Sequence, residues 1–209
     1  MTRDTPPSRW NDGAPAAKAS RAFVSRKGYV MRESIAIALT ALMLPAASSA
    51  AVTDVGAGGF VTETTVQISA TPDRIFAALT KPALWWEARH TRTGNPANVT
   101  LAPTVGGCFC EALPSGGGQV YMTVIYVDPG KVLRMRGTLG PSPAQAMPID
   151  GVMSWDFKPM GAVTEVKMTY SVSGYSKAGF DMMAKTNDDV LTAEVARLKR
   201  LIETGKPEE

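Results

Sequence analysis

One segment constrains this chain more than any other. "KAGFDMMAKTNDDVLTAEVARLKRLIETG" (177–205) is a long amphipathic stretch at the C-terminal end. Phe180, Met183, Val190, Leu191, Val195, Leu198 and Leu201 fall near one face at helical spacing. Gly205 is a natural stop. A lone helix with an apolar stripe must bury that stripe against another element. What precedes it alternates with period two. "GFVTETTVQISA" (59–70) is a strand, rich in β-branched residues. "TPDRIFAALTKPALWWEA" (71–88) then predicts two short helices, with Thr71 as N-cap, Pro72 at the first helical position and a break before Pro82.

From position 98 the pattern becomes strand, turn, strand. "NVTLAP", "GGCFCEAL", "QVYMTVIYV", "KVLRMRGTL", "DGVMSWDFKPM" and "AVTEVKMTYSV" follow one another, joined by "PSGGG", "DPG", the Pro-rich "GPSPAQAMP" and Gly161. The order predicts an α+β fold in which one long helix covers the apolar face of an antiparallel sheet.

The N-terminal fifty residues differ in kind. Residues 1–30 are rich in Pro, Ala, Ser and Arg without an apolar period, which predicts an unstructured extension or a misplaced start. Residues 31–51 run from Met31-Arg32 through an apolar stretch, Ile35 to Leu44, to small residues ending at Ala51. That order predicts a signal peptide, too short for a membrane span, and a periplasmic or secreted protein beginning near Ala51 or Val52. Residues 52–58 read as a linker, 59–205 as the domain and 206–209 as a tail. Seven of the 22 Lys/Arg and three of the 19 Asp/Glu fall within residues 1–50, leaving 15 basic and 16 acidic residues beyond. A near-neutral domain lacks the basic footprint of a nucleic-acid binder.

The layout resembles the START-like superfamily, also called SRPBCC and labelled polyketide cyclase/dehydrase and lipid transport. The resemblance covers roughly residues 60–204. It is carried by "ATPDRIF" (70–76), Leu84-Trp85-Trp86, Gly106-Gly107-Cys108-Phe109, Val127-Asp128-Pro129-Gly130 with Leu133, and Trp155 in "MSWDF". The branch it is most similar to is related to activators of a heat-shock chaperone ATPase. The resemblance implies a helix-grip fold, a curved antiparallel sheet wrapped around the C-terminal helix with a cavity between them. It implies no shared catalytic set, because the superfamily has none.

Alternation assigns the faces. Val166, Met168, Tyr170 and Val172 share one face; so do Met153, Trp155 and Phe157, and so do Leu133 and Met135. Phe109 and Glu111 point inward by the same rule, which puts Cys108 and Cys110 on the opposite face. Two thiols at i and i+2 supply only half of a transition-metal site, and no metal or other cofactor is expected. In an extended strand their Cα atoms stand about 6.5–7 Å apart, at the edge of the range for a bridge. A bridge is thus one alternative; two small sulfur side chains filling a strand face is the favoured one.

Candidate ligand-binding residues are Trp85, Trp86, Phe109, Glu111, Met135, Trp155, Met168, Tyr170 and Met183. Aromatic and methionine side chains suit a permissive apolar pocket, and core packing explains them equally well. His90 and Glu111 are the candidate acid/base groups: an imidazole titrates near neutrality, and a buried carboxylate needs a partner or a raised pKa. The expectation is a binding protein for a hydrophobic or aromatic small molecule, with no nucleic-acid partner and no stable membrane span after signal cleavage. A cyclase- or hydratase-type enzyme and a protein-interaction module are the alternatives.

Overall fold

Period-two alternation yields eight strands in the computed structural model, which describes residues 49–140 and 147–208. They are β1 (Ser49–Gly56), β2 (Gly59–Ile68), β3 (Val99–Leu101), β4 (Cys108–Ala112), β5 (Gly118–Asp128), β6 (Val132–Gly137), β7 (Ile149–Met160) and β8 (Val163–Gly174). All pair antiparallel in one curved sheet of order β1-β2-β8-β7-β6-β5-β4-β3. Helix α1 (Pro72–Leu79) follows β2, and helix α2 (Asp181–Thr204) closes the fold. This is the α+β helix-grip arrangement.

Local chemistry sets the helix ends. Thr71 accepts the N–H of Arg74 at the start of α1. Gly205 caps α2 with a left-handed φ of 82°. The second short helix reduces to a 3₁₀ turn at Pro82–Leu84, and the Trp85 indole N–H that follows it reaches back to the Ala78 carbonyl at 3.1 Å. Residues 52–58 are not a linker: Val52 to Gly56 belong to β1, which pairs with Gly59–Thr65 of β2. Ala57 and Gly58 form the hairpin turn, and the glycines at 56, 58 and 59 around it hid this strand in the sequence. β1 begins at Ser49, ahead of the expected Ala51–Val52 junction. The 1–30 extension and residues 31–48 of the expected signal peptide lie outside the described residues.

The core fills the space between sheet and helix. Met153, Trp155, Phe157, Val166, Met168, Tyr170, Val172, Leu133 and Met135 are buried, so the alternation named the inner face of β6, β7 and β8. Phe180, Leu191, Val195 and Leu198 of the C-terminal segment meet them. α2 runs parallel to β2: Thr192 touches Thr64, Lys199 donates to the Gln67 carbonyl, and Glu203 accepts the N–H of Ser69.

A bulge breaks the β4–β5 register. Phe109 pairs with Met122 and Cys110 with Val120, which leaves Tyr121 as the extra residue. Beside it, Cys108 and Cys110 form a disulfide with Cα atoms 5.4 Å apart. The favoured expectation of two free thiols is thereby corrected. The spacing assumed a fully extended strand; at 5.4 Å the two Cα atoms stand closer than that, beside the irregular register with β5.

Candidate functional site

The segment from Trp85 to Thr93 crosses from α1 to the sheet edge, and two buried carboxylates hold it. Glu194 of α2 accepts the Glu87 N–H at 3.1 and 3.2 Å, and its Oε1 lies 2.6 Å from Nδ1 of His90. Glu111 of β4 accepts the Arg92 N–H at 2.9 Å and the Thr93 N–H at 2.7 Å. The Tyr121 hydroxyl also donates to Glu111, because the bulge turns that ring inward. Arg197 adds a third tie, donating to the Trp85 carbonyl at 2.8 Å and pairing with Glu87 at 3.0 Å.

Both carboxylates are 1% exposed, but their environments differ. Burial alone would push Glu111 up; hydrogen bonds from Tyr121, Thr93 and Arg92 outweigh it and hold the carboxyl below its ordinary value. Burial pushes Glu194 up, and the bonds from His90 and Glu87 only partly offset it. Burial and the neighbouring Glu111 charge push the Tyr121 phenol far up.

Next to this segment lies a cavity of about 600 Å³. Trp86, Leu139, Met147, Met182, Met183 and Val190 supply its apolar wall. His90, Tyr121, Ser176, Thr186 and Asn187 supply its polar points. Aromatic rings continue from it toward the core: Trp86 stands 5.2 Å from Phe109, and Phe109 stands 5.3 Å from Tyr121. The size and the mainly apolar wall with a few convergent polar groups are those of a small-molecule site. No three His, Cys, Asp or Glu side chains converge on a metal geometry among the described residues.

The family model described as polyketide cyclase / dehydrase and lipid transport matches residues 60–203. The chain belongs to this family. A conserved protein of unknown function from Enterococcus faecalis is 16% identical, with 76% of this chain and 78% of that one covered at a TM-score of 0.53. The Aha1 dimer from Colwellia psychrerythraea is 24% identical, with 69% and 96% covered and a TM-score of 0.48. CalU16 from Micromonospora echinospora is 14% identical, with 78% and 87% covered and a TM-score of 0.49. No curated protein matches.

Among the residues proposed from sequence, Trp86, His90 and Met183 border the cavity of this family member. Trp85, Phe109, Met135 and Trp155 surround a residual space of about 10 Å³, so they are closely packed against one another. Met168 is fully buried in the core. Tyr170 is buried too, its hydroxyl accepting the Leu139 N–H at 3.0 Å and its ring edge-on to Phe60. Glu111 reaches the cavity only through Tyr121.

Sequence reasoning missed Tyr121 and Glu194. Alternation puts Tyr121 opposite Met122, and nothing in "QVYMTVIYV" announces the bulge. Glu194 did leave a signal. It stands three residues after Leu191 and four before Leu198, on the buried stripe of α2, where a carboxylate demands a partner.

Proposed function

We propose that this protein is an exported binding protein that holds a hydrophobic or aromatic small molecule between the sheet and the start of α2. The observation that carries the reading is the apolar cavity of about 600 Å³ walled by Trp86, Met147, Met182, Met183 and Val190. Burying a ligand there gains roughly 25 cal/mol per Å² of apolar area. Membership of a family described by cyclase, dehydrase and lipid transport supports a ligand-binding role. Export is supported by the charged, apolar and small-residue order of 31–51 and by the Cys108–Cys110 disulfide, a bond that persists in oxidising compartments. Cleavage at Ala51 leaves Val52–Gly56 still paired with β2.

Native mass spectrometry of the protein isolated from its host tests this. The expected result is a bound mass that dissociates on activation and is lost in a Val190→Trp variant, whose ring fills the cavity. A clean apoprotein mass that stays clean after incubation with a panel of aromatic and lipid compounds sinks the reading.

A second reading, an enzyme of cyclase or hydratase type in the same cavity, is favoured by the bond between His90 Nδ1 and buried Glu194. A carboxylate behind an imidazole is how general bases are oriented. Glu111 is a weaker acid/base candidate, since both its oxygens already receive donors. Turnover of a bound compound abolished by His90→Ala, with binding kept, supports this reading; unchanged turnover excludes His90.

A further inference from the structure

Among the polar points of the cavity, His90, Tyr121 and Asn187 each keep an acceptor, beside the Ser176 and Thr186 hydroxyls, which donate or accept. Glu194 Oε1 receives the Glu87 N–H and also faces Nδ1 of His90. An oxygen that already accepts one N–H is placed to accept a second, so Nδ1 is the protonated nitrogen of the neutral ring. Nε2 then carries the lone pair, and it is the ring nitrogen left for the cavity that His90 borders. Tyr121 spends its proton on Glu111, which leaves its oxygen as an acceptor. Asn187 spends one N–H on the Met183 carbonyl at 2.9 Å and keeps its carbonyl oxygen and a second N–H. Neither Lys nor Arg lines this space among the described residues.

At His90 and Tyr121 the lining offers acceptors, and its donors are neutral: the Ser176 and Thr186 hydroxyls and the Asn187 amide. A carboxylate or phosphate head buried there would face lone pairs with no cation, at the cost of an unpaired buried charge. A hydroxyl donor would complete the network. Resting on the cavity reading above, we infer that His90 and Glu194 set the specificity of this site: it takes a neutral apolar molecule whose polar end is a hydroxyl, donated to Nε2 of His90. Glu194 is the positioning residue, because it fixes which nitrogen presents the lone pair. The same wall without Glu194 would lose this preference.

Three probes of one shape separate the possibilities: naphthol, methylnaphthalene and naphthoate. Calorimetric titration of the full chain at neutral pH should rank naphthol at least about tenfold above the other two, the value of one good buried hydrogen bond. His90→Phe should bring naphthol down to methylnaphthalene while methylnaphthalene binding stays within about twofold. His90 is the only histidine in the chain, so long-range proton–nitrogen NMR reads its tautomer without overlap. The neutral ring should carry its proton on Nδ1, and Glu194→Gln should shift population toward the Nε2–H form and shrink the preference for naphthol. Naphthoate or methylnaphthalene binding as tightly as naphthol, or a neutral ring protonated on Nε2 in the wild type, overturns the inference and leaves the cavity reading intact. Failure of all three probes, and of longer alkyl-naphthol analogues, removes the cavity reading and this inference with it.

Discussion

Nδ1 of His90 lies 2.6 Å from Oε1 of Glu194, and the same carboxylate binds the backbone N–H of Glu87. One buried acid on α2 therefore shapes the segment three positions ahead of the histidine and orients the histidine itself. Glu111 does the same at the far end of the segment, through the N–H groups of Arg92 and Thr93. The two acids should nevertheless respond to pH in opposite senses.

Glu194 lies above its ordinary value of 4.5, chiefly through burial, so the folded state binds its proton more tightly than the unfolded chain. Its stabilising share is full below that value and is lost as pH rises through the folded one. Glu111 lies below 4.5, so its share is present above that value and is lost as pH falls through the folded one. Urea unfolding across a pH series should show Glu194→Gln flattening the profile above 4.5 and Glu111→Gln flattening it below. Identical flattening by both substitutions would contradict these environments. Glu111→Gln should also cost about 1–3 kcal/mol at neutral pH, since it leaves a buried donor poorly matched.

Gly137 approaches the bulge directly. A Cβ there would sit 2.2 Å from the Tyr121 carbonyl oxygen, and its φ of 148° is one that side chains rarely adopt. Gly137→Ala should destabilise by about 1–3 kcal/mol. It should also weaken ligand binding, because Tyr121 must shift. A thermal midpoint equal to wild type would show that the bulge tolerates the methyl group.

Leu198 is fully buried where α2 meets the sheet. Leu198→Ala should cost about 2–5 kcal/mol in denaturant unfolding. A loss below 1 kcal/mol, on the scale of surface substitutions, would mean that the helix is not docked as described.

The Cys108–Cys110 bridge closes a loop of only two residues in sequence separation. Chain entropy credits so short a loop with about 1–2 kcal/mol. Replacing both cysteines by serine should lower stability by no more than that, while thiol titration of unfolded, unreduced wild type should find no free thiol. Two titratable thiols in protein from an oxidising host would refute the bridge.

Much of the fold was legible because its signals are local. The alternation of "VMSWDF" and "VTEVKMTYSV" named the buried face of β7 and β8, and the stripe ending at Gly205 named α2. The site was less legible because its geometry depends on departures from regularity and on distant partners. β1 was hidden by its glycines, and Tyr121 by one extra residue in a strand. Met168 and Tyr170 are inward as expected, but inward at the centre of the sheet means packed; the cavity lies beside the first turns of α2. Alternation gives a side chain's direction and says nothing of how far the opposing helix stands from it.

The dependence of the 87–93 segment on Glu111 and Glu194 ties it to parts of the chain made far apart in time. Glu111 sits on β4, next to the edge strand β3, and Glu194 arrives only with the closing helix. During synthesis the histidine-bearing segment lacks its Glu194 anchor until the closing helix has emerged and docked. The order of this segment is thus completed only when α2 docks, and hydrogen exchange at Glu87, Arg92 and Thr93 should report its loss before the sheet itself opens.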